Sequence, residues 1–209
     1  MGRLKVLMIN GSPHVDGSTA IALNEMVKIF TRNDIDTEIV QIGNKDIRGC
    51  VACGGCGKLG RCVFEDEVNV IAEKLKEADG LVIGTPVYYA SANATVVALL
   101  DRLFYSIDFD TAMKVGATVA AARRGGITAT FDEINKYFTI SGMPIASGQY
   151  WNGIHGNGTC RDANQDEEGM QMMRTLAQNM TFLMRSIQLG KEQYGLPDKE
   201  PHAWTSFIR

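Results

Sequence analysis

The sequence predicts an α/β domain in which a five-stranded parallel sheet carries helices on both faces. Three observations lead to this prediction. Short apolar runs alternate with amphipathic stretches five times along the chain, which is the pattern of strands joined by crossover helices. The chain has 209 residues, of which 45% are hydrophobic, enough for one domain with a substantial core. No repeat or linker interrupts the pattern, so we expect one domain over residues 1–190 and an irregular tail over residues 191–209.

The five strands are predicted from short apolar runs that end at turn residues. Strands buried on both faces of a parallel sheet have nearly continuous apolar sequences. The first run stops at Gly11-Ser12-Pro13 and the third stops at Gly84-Thr85-Pro86. In chain order the predicted strands are Lys5–Ile9, Thr37–Ile42, Leu81–Ile83, Val115–Ala122 and Pro144–Trp151.

The helices between these strands are predicted from apolar residues with helical spacing. In the first helix, which begins near Thr19, the apolar residues recur at i, i+3, i+4 and i+7: Leu23, Met26, Val27 and Phe30. Asp66 and Ser91 are the predicted N-caps of the next two helices. A fourth helix follows Gly125-Gly126 and ends near Tyr137. The last helix carries methionines inward from Met170 to Ile187, which we interpret as core or dimer packing.

The composition argues against several classes of function. The formal net charge is −3, so neither nucleic acid nor a membrane surface is favoured as a partner. No apolar run approaches the ~18 residues that a bilayer span needs. The run from Leu4 to Ile9 is short and ends at a turn, so we interpret it as a strand and not as a signal peptide. A cytoplasmic protein is expected.

The first loop, from Asn10 to Ala20, has the features of a phosphate site. It lies between a buried strand and a helix N-terminus, where unpaired N–H groups and a partial positive charge favour an anion. Ser12, Ser18 and Thr19 add hydroxyl donors. The loop contains no Lys or Arg, and it matches neither GxxxxGK[ST] nor GxGxxG. An ordinary Gly-Ser turn is the alternative, but the position after the first strand of an α/β chain favours a phosphate site.

Two segments in combination resemble a known family. GSPHVDGST follows the first strand and GTPVYYAS follows the third, and together they resemble the NADPH-dependent FMN reductase branch of the flavodoxin-like proteins. The resemblance extends from Lys5 to about Ile187. It implies a flavodoxin-like fold with strand order 2-1-3-4-5, an FMN-binding domain over residues 1–190 and NAD(P)H as electron donor. Relatives expose the flavin at a subunit boundary, so a homodimer or homotetramer is expected.

The same resemblance implies roles for residues in three loops. Around the FMN phosphate and ribityl chain it places Ser12, His14, Ser18, Thr19 and Ala20. Along the flavin ring it places Pro86, Val87, Tyr88 and Tyr89. The segment from Ala122 to Gly126 is similar to the loop that covers the other edge of the ring, which assigns Arg123, Gly125 and Gly126 to the cofactor.

The residues themselves leave alternatives open at these loops. Tyr88 and Tyr89 offer flat surfaces that suit a flavin, but they could also pack only against the following helix. Arg123 and Arg124 could attract the phosphate of NADPH or form a solvated pair. His155 could approach the flavin, although a loop histidine that makes a backbone contact is the favoured interpretation.

Four of the five cysteines fall within thirteen residues, with the spacing C-x2-C-x2-C-x5-C. Four neighbouring thiolates can hold a 4Fe-4S cluster, and the metal ligands would be Cys50, Cys53, Cys56 and Cys62. The motif resembles that of the archaeal iron–sulfur flavoproteins, in which the cluster passes single electrons to FMN. A zinc site and a loop without metal are the alternatives.

Three functions are consistent with these patterns. The first is an oxidoreductase that uses FMN and NAD(P)H to reduce a small molecule such as flavin, quinone, or a nitro or azo compound. The second is an electron carrier with an iron–sulfur cluster, working between ferredoxin and other acceptors. The third is a flavin-binding sensor. No side-chain acid or base is obviously required, so no catalytic residue is predicted.

Overall fold

The structure is a computed structural model that describes residues 2–157, 160–201, 203–205 and 207. The predicted tail therefore falls partly outside the described residues, at His202, Ser206, Ile208 and Arg209. None of the helices that the described residues form is long and apolar enough to cross a bilayer.

A parallel sheet forms the centre of the molecule. Its strands are β1 (Lys5–Asn10), β2 (Asp36–Gln41), β3 (Gly80–Tyr88), β5 (Val115–Ala122) and β6 (Gly153–His155), with the two-residue β4 (Ser91–Ala92) beside them. The order across the sheet is β2-β1-β3-β5-β6, and all four pairings along it are parallel. Because β4 only pairs antiparallel with the end of β3, the five parallel strands follow the predicted order and the predicted fold class is confirmed.

The predicted fifth strand was wrong in its position. The segment Pro144–Trp151 is mostly loop and meets the sheet through one isolated bridge, between Gly116 and Ile145. The strand forms later, at Gly153–His155, beside the end of β5. The chain turns away between them because the Gly148 N–H donates to the side chain of Asn152 at 3.2 Å. At Gly148 a Cβ would lie 2.2 Å from the sulfur of Met172, so the backbone here packs directly against α7.

Seven helices are described. They are α1 (Ser18–Arg32), α2 (Cys56–Leu59), α3 (Glu67–Glu77), α4 (Ala94–Ser106), α5 (Ile127–Ile140), α6 (Cys160–Ala163) and α7 (Glu167–Tyr194). Asp66 caps α3 as predicted, since its carboxylate accepts from the Val68 N–H. Ser91 does not cap α4 because it is paired in β4, and Asn93 takes that position by accepting from the Thr95 N–H at 3.1 Å.

The core has two layers because alternate residues of each strand face opposite sides of the sheet. In β1, Val6 and Met8 pack on the side of α1 and α7, whereas Leu7 and Ile9 pack on the side of α3, α4 and α5. Four methionines of α7 are buried in the first layer, and Met170 is partly buried against it: Met172, Met173, Met180 and Met184 are the buried four. Both faces of the sheet are therefore covered, as the continuous apolar runs predicted.

A buried carboxylate joins the two helices of the first layer. Glu25 of α1 contacts Lys28 at 2.6 Å and Arg174 of α7 at 2.8 Å. Burial alone would raise the pKa of Glu25, but hydrogen bonds from Lys28 and Arg174 outweigh burial and lower this pKa below its usual value. The side chain is 8% exposed, so the pair of cations compensates a charge that water hardly reaches.

Candidate functional site

The carboxyl ends of β1, β3 and β5 meet at one edge of the sheet. Strand order reverses there, since β1 lies between β2 and β3. This is the place where open α/β sheets bind ligands. The three loops singled out by the sequence follow these strands, and the structure brings them together.

The start of α1 is prepared for an anion. Its N-cap, Gly17, provides no side-chain hydrogen bond to the first turn. The hydroxyl of Ser18 is buried and has no hydrogen-bond partner among the residues that the structure describes. Ser12, Thr19 and Ala20 are also buried around this turn. Unpaired donors at a helix N-terminus fit a phosphate group, so the chemistry of this site fits the terminal phosphate of FMN.

Side chains and glycines fix the conformation of the loop from Asn10 to Ala20, called the phosphate loop below. The Asn10 carboxamide oxygen accepts from the Ser12 N–H at 3.1 Å, and the Gln41 side chain donates to the Ser12 carbonyl. A Cβ at Gly43 would lie 2.2 Å from the Ser12 backbone, so the chain after β2 packs directly under this loop. His14 donates its N–H to the Ser12 hydroxyl at 3.1 Å, while its side chain is exposed to solvent. The loop is therefore preorganised without any Lys or Arg.

The loop predicted to lie along the flavin ring, residues 85–91, consists of the end of β3 and a hairpin turn. β3 continues through Pro86 and Val87 to Tyr88, and the chain then reverses into β4. Tyr88 is 46% exposed and Tyr89 is fully exposed. Because Tyr89 is fully exposed, it does not pack against α4. Both tyrosines leave aromatic surface at the edge where a flavin ring would lie.

The third loop closes against the second. Gly126 has φ 95° and starts α5, and a Cβ on it would lie 2.8 Å from Val87 and 2.9 Å from Ala90. Arg123 and Arg124 are exposed and form no ion pair with any residue in the described part of the chain. Their guanidinium groups are thus accessible at the rim of the candidate site.

A fourth segment, which the sequence analysis did not assign to the cofactor, also reaches the phosphate loop. A Cβ at Gly156 would lie 2.6 Å from the Ser18 hydroxyl oxygen. The backbone N–H of Gly156 donates to the Ala122 carbonyl at 3.1 Å. The neighbouring His155 donates its backbone N–H to Asp166 at 2.6 Å, which is the kind of backbone contact favoured for it. The pattern Gly153-x2-Gly156 gave no signal for this approach because it lacks the strand–helix context of a known motif.

Four of the cysteines share one pocket away from the phosphate loop. Cys50, Cys53, Cys56 and Cys62 are all free thiols and all line it, and exposure falls from Cys50 and Cys53 to the buried Cys62. Four thiols suit an iron–sulfur cluster or zinc. Among the described residues, however, no three Cys, His, Asp or Glu side chains are grouped closely enough to hold a metal. The four thiols are suitable ligands for such a centre, but their sulfur atoms would have to move closer together to bind it.

A buried arginine, which no sequence pattern singled out, holds one of these thiols. Arg102 of α4 is 1% exposed and donates to both carboxylate oxygens of Asp66 at 2.7 and 2.9 Å. Two further N–H groups point to the Cys62 sulfur, at 3.3 and 3.1 Å. Burial alone would lower the pKa of Arg102, but hydrogen bonds with Asp66 and Cys62 outweigh it and raise this pKa. Cys62 is therefore fixed by a cation, unlike its three partners.

Helix α4 separates the two candidate sites. Asn93, just before α4, donates to the Gly11 carbonyl of the phosphate loop at 2.7 Å. Near the other end, the Cys56 sulfur lies 3.8 Å from the Tyr105 carbonyl. At a rise of about 1.5 Å per residue, these two points lie roughly 18 Å apart along the helix. The phosphate loop and the thiol pocket are thus distinct sites within one chain.

Comparison with known proteins relates these features to one family. Residues 4–157 match the family model described as NADPH-dependent FMN reductase. An iron-sulfur flavoprotein of Methanocaldococcus jannaschii is 30% identical over 192 residues, which cover 88% of this chain and 100% of that protein. One from Methanosarcina thermophila is 29% identical over 195 residues, covering 91% and 100% respectively.

Solved structures agree on the fold. A structure of RosB with the bound intermediate 8-demethyl-8-formylriboflavin-5'-phosphate has a TM-score of 0.72 at 18% identity, covering 99% of this chain and 94% of that one. A Streptococcus pneumonia flavodoxin has a TM-score of 0.55 at 12% identity, covering 87% and 99%. Since the family model spans most of the sequence and a relative of full length reaches 30% identity, the chain belongs to the NADPH-dependent FMN reductase family.

Proposed function

We propose that this protein is an FMN-dependent oxidoreductase that takes electrons from NAD(P)H and passes them to a small acceptor such as a flavin or quinone. The observation that carries the proposal is the buried Ser18 hydroxyl at the start of α1, which has no side-chain N-cap bond and no hydrogen-bond partner for this hydroxyl within the described part of the chain. A buried polar group without a partner is unfavourable unless a ligand supplies one. A phosphate oxygen accepts hydrogen bonds from that hydroxyl and from the neighbouring backbone N–H groups.

The residues around the three loops have distinct tasks in this proposal. Ser12, Ser18, Thr19 and Ala20 would hold the phosphate and the ribityl chain, with His14 at the exposed side. The ring would lie along the segment Pro86–Tyr89, with Gly125 and Gly126 at its other edge. Bound FMN supplies hydride and single-electron chemistry, which the protein directs by orientation and electrostatics. Arg123, with its free guanidinium at the rim, would attract the phosphate of NADPH.

The test is anaerobic purification followed by spectroscopy and stopped-flow kinetics. Flavin bands near ~375 and ~450 nm should accompany the protein or return after FMN is added. NADPH should bleach these bands without a second protein, and a quinone should restore them. Arg123→Ala should raise the KM for NADPH more than the KM for NADH, while Lys58→Ala, a lysine of the thiol-pocket loop, serves as the matched loss of charge. Colourless protein that takes up no FMN would refute the proposal.

A second function is favoured by the thiol pocket. Four free thiols line one cavity, and relatives of full length are named iron-sulfur flavoproteins. In this alternative Cys50, Cys53, Cys56 and Cys62 would hold a 4Fe-4S cluster, and the protein would carry electrons between ferredoxin and other acceptors. Cluster binding would require the exposed Cys50 and Cys53 to move toward Cys62, which Arg102 holds in place.

Metal analysis and donor dependence separate the two functions. A carrier should contain about four iron and four sulfide per chain after anaerobic reconstitution, and Cys53→Ser should lower both while Ser147→Ala leaves them unchanged. Its flavin should be reduced by ferredoxin and not by NADPH alone. Zinc in place of iron, or no metal at all, would refute the carrier and leave the oxidoreductase. Gel filtration tests the expected homodimer or homotetramer, and a monomer at micromolar concentration would contradict it.

A further inference from the structure

The turn after β3 has an unusual backbone. Val87 pairs with Ala92 and Tyr88 pairs with Ser91, so Tyr89 and Ala90 form a two-residue hairpin loop. Both loop residues have positive φ, at 52° and 60°. Hairpins of this kind normally use Asn-Gly or Gly-Gly, because a Cβ disfavours the left-handed region. A tyrosine and an alanine in these positions are strained, and such strain persists only where the surroundings impose it.

A carboxylate from helix α5 contacts the strand that follows the strained pair. One oxygen of Glu133 in α5 accepts from the Ser91 hydroxyl at 2.8 Å and from the Ala92 N–H at 2.8 Å. Both donors lie in β4, immediately after the strained pair. Glu133 lies in the middle of α5 and is partly exposed, and no local sequence pattern indicates its contact with β4.

Neighbouring contacts fix the two ends of the turn, and Glu133 contacts its return strand. The Asn93 N–H donates to the Thr85 hydroxyl at 3.0 Å and ties the base of the loop. Gly126 packs against Val87 and Ala90 from the side of α5. β4 is held by its backbone pairing with β3 and, on its other side, by the two hydrogen bonds to the Glu133 carboxylate.

We propose that Glu133 is a positioning residue for the flavin: its carboxylate holds the Tyr89–Ala90 turn in the strained form that receives the ring. The proposal rests on the proposed function only in that FMN occupies the site. Glu133 acts through the loop and does not need to touch the cofactor. Without it, the turn relaxes to ordinary backbone angles, and FMN has to restore the strained form when it binds.

The test measures FMN affinity of the apo-protein by quenching of flavin fluorescence. Glu133→Ala should raise Kd about tenfold, because part of the binding free energy is then used to order the turn. Glu133→Gln should raise it less than about threefold, since its amide oxygen can accept both hydrogen bonds. Asp132→Asn, the exposed neighbouring carboxylate, is the matched control and should change Kd less than about twofold.

A second substitution distinguishes positioning from general stability. Glycine adopts positive φ without strain, so Ala90→Gly in the Glu133→Ala background should recover most of the lost affinity. The melting temperature of apo Glu133→Ala should stay close to that of the wild type. Wild-type affinity in Glu133→Ala, or a loss of affinity that Ala90→Gly does not recover, would overturn the inference. A wild-type chain that binds no FMN would refute the proposed function and the inference with it.

Discussion

Replacing Ser18 by alanine should stabilise the apo-protein against unfolding and lower its affinity for FMN. The hydroxyl is buried and has no hydrogen-bond partner among the described residues, so in the apo-protein it is desolvated without compensation. Alanine removes that unsatisfied group and suits the first turn of α1. In the complex the same substitution removes a donor to the phosphate. The two effects have opposite signs, which a merely damaging substitution would not produce.

The magnitudes follow from the burial of the group. An unsatisfied buried polar group costs about 1–3 kcal/mol, so we expect the free energy of unfolding of apo Ser18→Ala to rise by about 1 kcal/mol, near the lower end. For a chain of this size that corresponds to roughly 2–4 °C in melting temperature. A hydrogen bond to a charged group contributes about 1.5–3 kcal/mol, so the Kd for FMN should rise on the order of 10-fold to 100-fold.

Urea unfolding of the apo-protein and fluorescence titration with FMN measure the two effects. Ser106→Ala is the matched control, because the Ser106 hydroxyl is also buried with no hydrogen-bond partner in the part of the chain that the structure describes but lies at the far end of α4. It should stabilise the apo-protein similarly and leave the Kd for FMN unchanged. If Ser18→Ala destabilised the apo-protein, or bound FMN as tightly as the wild type, the assignment of this hydroxyl to the phosphate would be refuted.

Three further substitutions test the scaffold. Arg102→Met leaves the charge of Asp66 without its partner, so urea unfolding should show a loss of about 3 kcal/mol; a loss below about 1 kcal/mol would contradict the role of this ion pair. Gly43→Ala should prevent FMN binding at any concentration tested, because its Cβ would overlap the Ser12 backbone; normal binding would show that the loop adapts. Since the pKa of Glu25 is lowered in the folded state, its contribution is present above about pH 4.5 and is lost as the pH falls through the folded pKa. The stability difference between wild type and Glu25→Gln should therefore shrink between about pH 6 and pH 3, and a difference independent of pH would contradict the sign.

The fold could be predicted where burial alone determines the sequence pattern. β5 has the predicted bounds because every residue from Val115 to Ala122 is buried, so its apolar run matches its pairing. The last strand could not be located in this way. Residues 144–151 have a strand-like composition, but a tertiary contact between Gly148 and α7 turns the chain before it can pair. Ser91 was a reasonable cap by residue type, yet hairpin pairing removed it from that position.

The candidate site also has parts that the sequence predicts and parts that it does not. The start of α1 was predictable because a strand, a Gly-Ser turn and a helix are consecutive in sequence. The roles of Arg102 and Glu133 were not, because they depend on hydrogen bonds to residues 40 and 42 positions away. A local pattern contains no information about such partners until the sheet order is known.

The composition of the phosphate loop determines which mutations this site can accept. In the proposed function its donors are the hydroxyls of Ser12, Ser18 and Thr19 and the main-chain N–H groups at the start of α1, and none of these groups is charged near neutral pH. Substituting surface charges would therefore leave anion recognition intact. Sensitivity shifts instead to positions such as Gly11 and Gly43, where one added methyl group would collide with neighbouring atoms. If this loop holds FMN as proposed, steric room for the backbone and the buried hydroxyl of Ser18, and not electrical charge, decide which mutations the site tolerates.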